Sequence, residues 1–337
     1  MNHDPVKVNR VEWLRLFPGL SLLQAARLGF RVRVLVPACL CLLVFAARRN
    51  IADIVFDVAP PPQQLWIVFG TEAQPLPGPI EAVVIGATRF LAWGILNNPW
   101  EFVSVIWSGF VLMAFGVAVS RSAATEFCIH SRTGVFAAMR FSFQHFTAAL
   151  VSTLLAASLV IASLLIVFIA GWVMDFGSAG AWLVAISWPV IFLSGVLSVV
   201  VTIVCLIGWM LSLAAIGTDQ CSGADALSRG INYVLSHKLW TTLYMLAVVV
   251  VSSVATRLAH WFIEAGTSVV YARVDQNEVD SSTVFSLWMA AIQQLPHAVH
   301  LGVFLSGMTI MYVLLRETED GVDLREIDGA VARTPKD

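Results

Sequence analysis

Apolar residues along this chain run in long unbroken blocks separated by short polar stretches, rather than recurring as the single stripe of a surface helix. A bilayer core about 30 Å thick is crossed by roughly 20 apolar residues in a helix, and the blocks have that size. They predict an all-α, polytopic membrane helix bundle of about six transmembrane helices, near residues 34–56, 102–119, 147–174, 191–216, 239–255 and 299–315. The first block is the least regular: residues 34–47 are bracketed by Arg33 and Arg48, which can snorkel, and the span is read as extending to about Phe56. A long basic region before it, and Phe45 where a cleavage site needs a small residue, argue against a removed leader. Between Asp175 and Asp219 there are 43 uncharged residues, too many for one simple crossing. Gly177, Gly180 and Pro189 there predict a short half-helix ahead of the fourth span, and residues 283–294 read as a second half-helix ended by Pro296.

The polar stretches carry their own helical signals. In residues 217–262, Ser222 is a helix N-cap with Asp225 three positions on, and Asp225 and Arg229 form an i,i+4 pair with the acid N-terminal. Leu227, Ile231, Val234 and Leu235 share one face. Tyr233, Lys238 and Trp240 then mark a membrane interface just before the next apolar run. The stretch reads as a helix lying in the headgroup plane and feeding a span; an ordinary solvated loop helix is the alternative. Residues 120–145 form a similar re-entry, where Val135, Phe136, Met139, Phe143 and then Phe146 stripe one helical face. The segments 118–146 and 212–234 share the plan of span, Ala-Ala, polar re-entry, amphipathic helix and span. That is a possible parallel internal repeat, with chance similarity of two inner loops as the alternative.

Composition narrows the class further. Of 337 residues, 58% are hydrophobic and 12% charged, about half the charge of a soluble domain. The net charge of −2 points to no nucleic-acid partner; the informative quantity is where the basic residues fall. Fifteen of the 20 lie in the segments 1–33, 120–146, 217–238 and 316–337, which places those segments and both termini on the cytoplasmic side. The chain therefore divides into a basic interfacial segment 1–33, a transmembrane domain 34–315 and a charged cytoplasmic tail 316–337. The five cysteines form no disulfide framework: Cys39, Cys41 and Cys205 lie in apolar runs, and Cys128 and Cys221 in inner loops.

Candidate chemistry is sparse. Ionisable residues in the middle of a span usually mark ion or substrate routes, and the predicted cores of spans two to five contain none. No nucleotide-, metal- or hydrolase-type motif is present. His297 and His300, with His260 as a possible neighbour, are the one polar cluster. No Cys or carboxylate stands at ligand spacing from them, so an interfacial histidine pair is the reading over a metal site. No catalytic residue, cofactor or metal ligand is assigned. Ser104/Ser108, Ser152/Ala156, Ser194/Ser198 and Gly302/Ser306 are small pairs at four-residue spacing, the pattern of close helix packing. Tryptophans such as Trp172, Trp182, Trp240, Trp261 and Trp288 cluster near span ends, as an aromatic belt does.

Two stretches resemble a known group. GTDQCSGADALSRGINYVLSHKLWTTLYM is similar to the "DALSRSYSYV…W" re-entry of uncharacterised six-span membrane proteins of planctomycete type, and SGMTIMYVLLRETEDGVDLREID to their closing "IYLLLR…D…E" signature. A looser likeness reaches the membrane domain of glycerophosphodiesterase-type proteins. Gly230 stands where a serine or bulkier residue is usual, and His237, Lys238 and Leu239 replace an Arg-Pro. The resemblance implies a six-span protein of the bacterial inner membrane and brings no catalytic residue. The expected role is a structural, assembly or partner-binding component. Its partners would be the lipid bilayer and other membrane proteins or a homo-oligomer. A transporter or channel for an uncharged or lipid-like solute is the alternative, and a lipid-modifying enzyme comes third. Ser222, Asp225, Arg229, Tyr233, Trp240, His297 and His300 are the structural or interaction candidates.

Overall fold

The computed structural model describes residues 18–46, 78–91, 99–271 and 283–321. Among them 93% are helical and none is in a strand. A 3₁₀ turn, Pro18–Leu23, leads into α1 (Gln24–Gly29) and α2 (Val32–Ala46). After α3 (Gly78–Leu91), α4 (Pro99–Val111) continues through a π-helical turn, Leu112–Gly116, into α5 (Val117–Cys128). Then follow α6 (Val135–Gln144), α7 (Phe146–Ser163), α8 (Leu165–Met174), α9 (Gly177–Asp219), α10 (Gly223–Ser236), α11 (Lys238–Tyr271) and α12 (Thr283–Asp320). Five helices in the described residues are long and apolar enough to cross a membrane, or six if α1 and α2, bent by 72° at their junction, count as one.

Five of the expected spans coincide with helices long and apolar enough to cross a membrane, with corrected ends; of the first, residues 34–46 lie on α2. The second runs Val103–Cys128, so Ser120–Cys128, read as the start of a loop, is the buried last part of a helix. Glu126 accordingly stands on a helix and not in a loop. Neither proline breaks its helix: α9 is a single helix of 43 residues through Pro189, and α12 one of 38 residues through Pro296. The predicted half-helices are thus continuous with their spans. Pro189 removes only the backbone bond that Ala185 O would accept, a local loss that a membrane helix tolerates. The expected span portion 47–56, the proline-rich loop 57–77 and the tail beyond 321 lie outside the described residues.

The layers are unequal. Every residue of the most apolar 18-residue window of α12 is buried, against 11% for α7–α8 and 22% for α9. α12 is therefore the axis of the bundle, with α11, α1, α2, α5 and the end of α9 around it. The segment 18–29, expected at the interface, packs on this axis: Leu22, Ala25 and Leu28 are buried, and a Cβ on Gly29 would stand 2.7 Å from the backbone nitrogen of Val303. All eight small residues of the spaced pairs are buried. Ser152 accepts from Ser212 Oγ at 3.2 Å, and Ser198 donates to Ser163 O at 2.6 Å.

The repeated plan is visible in the backbone. After each span that leads into a short helix the chain passes through a left-handed residue, His130 at φ 57° and Gln220 at φ 54°. Each short helix starts from an extended cap, Gly134 or Ser222, and breaks at a histidine, His145 or His237. Ala138 and Ala226, four residues after those caps, are both buried. Eight residues after the caps, each short helix meets a carbonyl of the span that precedes it. Ser142 Oγ donates to Ala114 O inside the π turn, and Gly230 sits against Gly208 O.

The two short helices differ in what they do with their apolar faces. α6 leaves Phe136 and Phe143 exposed, in keeping with an interfacial helix. The expectation that α10 rests its apolar face on headgroups is corrected: Leu227, Tyr233 and Val234 are buried in the bundle, and Leu235 alone of the predicted face is exposed. α10 can approach so closely because Gly223 sits against Ala148 O and Gly230 against Gly208 O, where a Cβ would come within 2.0 and 2.4 Å. Gly230→Ala should therefore lower detergent-phase thermal stability by about 1–3 kcal/mol. Gly195→Ala on α9, where nothing lies within 4 Å of the added methyl, should be neutral or slightly stabilising. Equal effects at the two glycines would refute the close contact.

Candidate functional site

Asp219 closes α9, and its side chain is only 4% exposed. A carboxylate in such a place needs partners, since an unpaired buried charge costs several kcal/mol. Three side chains converge on it. Tyr312 OH donates to Oδ2 at 2.6 Å, and Arg316 Nη1 donates to Oδ1 at 2.7 Å, both from one face of α12. Arg229 Nη1 reaches Oδ2 at 3.3 Å from α10. Gln220, in the left-handed conformation, ends α9 immediately afterwards and lets the chain turn back into α10.

A second shell of bonds ties the same helices together. Arg121 Nη1 on α5 donates to the carbonyls of Gly217 and Thr218 at 3.2 and 3.3 Å, and its guanidinium stands 4.7 Å above the Phe141 ring. A cation at these last carbonyls also complements the dipole of α9. Gly217 allows the approach, because a Cβ there would lie 2.8 Å from Ser120 Cβ. Tyr233 OH donates to Asp320 Oδ2 at 2.5 Å, and its ring lies 5.7 Å from that of Tyr312. His237 Nε2 meets Glu319 Oε2 at 2.5 Å. Burial, then the bond to Asp320 and its charge, raises the Tyr233 phenol above its ordinary range and keeps it a donor. The Cys221 thiol is pushed up to about 11, first by burial and then by the charge of Asp219.

The predicted candidates fall on different sides of this arrangement. Ser222 is the N-cap of α10, its Oγ accepting the Asp225 N–H at 3.2 Å. The expected Asp225–Arg229 pair is corrected: Arg229 turns to Asp219, because a buried carboxylate holds a guanidinium more strongly than an exposed one does. Tyr233, expected in an interfacial belt, is buried and bonded to the end of α12. Trp240 is exposed beside Tyr244, their rings 5.7 Å apart. His260 and His297 do meet, edge to face with centroids 5.7 Å apart, while His300 is buried in the interior. Among the described residues no group of three or more His, Cys, Asp or Glu side chains could hold a metal ion.

Sequence reasoning missed Asp219, Tyr312, Arg316, Asp320 and Arg121. One signal was available: Tyr312, Arg316 and Asp320 recur every four residues, so α12 leaves its apolar run with a polar stripe on one face. Compared with protein-family models, curated proteins and solved structures, the chain matches none of them.

The arrangement is a clasp: both oxygens of Asp219 are filled by groups of the chain itself. Asp219→Ala strands the arginines and should cost about 3–5 kcal/mol of stability. Tyr312→Phe should cost about 1.5–3 kcal/mol, and Ser222→Ala about 0.5–2 kcal/mol for the lost cap. Detergent thermal unfolding would check the order, and a loss at Ser222 equal to that at Asp219 would remove the carboxylate from the centre. A variant keeping Cys221 as its one cysteine offers a pH test. Only the thiolate reacts, so iodoacetamide labelling should rise about tenfold per pH unit from 8 to 10. A plateau by pH 9 would mean that the thiol is open to water.

Proposed function

We propose that this chain is a non-enzymatic partner-binding or assembly component of a bacterial inner membrane, with both termini and the α5–α6 and α9–α10 junctions on the cytoplasmic side. The resemblance to planctomycete-type six-span proteins and the distribution of basic residues support the location and orientation. The observation that carries the role is the contrast between α12, whose most apolar 18 residues are all buried, and the sparsely buried arm formed by α7, α8 and the first half of α9. In that arm Gly171 and Gly195 are open, with nothing within 4 Å of where a Cβ would stand. Small open positions on apolar helices are where a second membrane helix can approach closely. A transporter would need polar groups free to meet a solute, and the filled oxygens of Asp219 count against that use of the clasp.

The test places a photo-crosslinking amino acid at Val199, which is 45% exposed and lies one turn from Gly195 on the same face of α9, in cells expressing the full chain. A discrete protein adduct, lost on Gly195→Leu while thermal stability is unchanged, is the expected result. Lipid adducts alone, or a protein adduct indifferent to Gly195→Leu, would overturn the proposal. Orientation is checked separately: a single cysteine at Ala224, an exposed position at the start of α10, should resist membrane-impermeant maleimide in whole cells and react once the membrane is permeabilised.

A further inference from the structure

Away from the clasp, α1 and the end of α5 enclose an open cleft of about 210 Å³ lined by Gln24, Arg27, Arg31, Glu126, His130 and Arg132, among others. A site for one water needs only about 10–15 Å³, so the cleft admits a larger group. Its charge is lopsided, with three arginines facing one carboxylate. Glu126 is already engaged in an ion pair with Arg31. Arg27 and Arg132 make no ion pair or hydrogen bond with any described residue, which leaves two guanidinium groups available. The wall beyond α5 is built by its termination: His130 takes the left-handed conformation, Ser131 N donates to Thr125 O, and the chain turns so that His130 and Arg132 border the opening.

Position and surroundings narrow the ligand. The span ending at Cys128 has 26 residues, about 39 Å of helix, more than the roughly 30 Å of a hydrocarbon core. Its last turn, with Glu126, thus emerges at headgroup depth. Around the basic cleft, Leu20, Leu23, Phe30 and Val32 are exposed. Leu23, Arg27 and Phe30 lie at i, i+4 and i+7, so charge and apolar surface stand side by side. Guanidinium forks match phosphate oxygens, and the neighbouring apolar side chains match acyl chains.

We infer that the cleft between α1 and the end of α5 binds the phosphate headgroup of an anionic phospholipid, held by Arg27 and Arg132, with its chains along Leu23 and Phe30. The site is independent of the α7–α9 arm, so its failure and that of the partner-binding proposal are read from different residues. The experiment measures the thermal midpoint of the purified full chain in mild detergent against added phosphatidylglycerol, phosphatidylcholine or inorganic phosphate. Phosphatidylglycerol should raise the midpoint saturably and phosphatidylcholine should not. In Arg27→Gln/Arg132→Gln the half-saturating phosphatidylglycerol concentration should rise about tenfold or more. Lys238→Gln, which removes an exposed charge outside the cleft, should leave it unchanged. Equal responses in wild type and double variant would overturn the site. An equal rise with millimolar inorganic phosphate, competing with the lipid, would overturn the lipid assignment in favour of a free phosphoanion. If the double variant does not elute as a folded species, Arg132→Gln alone, in the loop after α5, carries the same comparison.

Discussion

A carboxylate withdrawn from water at the end of a long apolar helix persists only if its partners arrive with it, and the arrangement at that end of the bundle follows from this demand. Asp219 needs donors from two directions. Tyr312 and Arg316 supply them from one face of α12, and Arg229 from α10. Meeting that need fixes the rotation of α12 about its own axis and draws α10 back onto α9. Arg121 then covers the last carbonyls of α9, which brings the end of α5 into the same joint. Asp320 and Glu319 fasten the end of α12 to Tyr233 and His237. A joint of this kind is stronger evidence for a defined register than for overall stability, because much of the attraction only offsets the cost of desolvating the charges.

Close packing does the complementary work where there is no charge. Apolar side chains gain little by leaving lipid for protein, so helices in a membrane associate through near approach and hydrogen bonds. The contacts at Gly29 on Val303, Gly230 on Gly208 and Gly217 on Ser120 are approaches that any Cβ would disturb. Serines and threonines are compatible with the apolar helices because their hydroxyls bond backward to carbonyls three or four residues earlier, as Thr202 does to Ser198 and Thr309 to Leu305. The same economy leaves a division of labour. The axis around α12 is buried by the rest of the bundle, and the α7–α9 arm leaves most of its apolar surface exposed.

The two short helices use their faces differently. α6 directs Phe136 and Phe143 outward, while α10 turns Tyr233 inward to the clasp. The difference rests on the eighth position after each cap. Ser142 Oγ donates to Ala114 O within the π turn, whereas Gly230 meets Gly208 directly and lets the backbones touch. Gly230 thus has a physical reason to be glycine here: a Cβ would come within 2.4 Å of Gly208 O.

What the sequence determined by itself was whatever depends on local transfer free energy and local capping. The membrane class, five of the approximate spans, the small-residue packing positions and the α10 cap at Ser222 were legible in it; of the α6 stripe only Phe136 and Phe143 stand exposed, while Met139 and Phe146 pack on the core. Helix ends and continuity were less so. Whether Pro189 or Pro296 breaks a helix depends on the packing around it, which periodicity does not encode. The site was hidden for a similar reason. Arg229 has Asp225 four residues before it and Asp219 ten residues before it, and sequence rules favour the nearer one. Only the packing of α9 against α12 buries Asp219, which makes its charge the one that must be answered; Tyr312 and Arg316, more than ninety residues away, answer it.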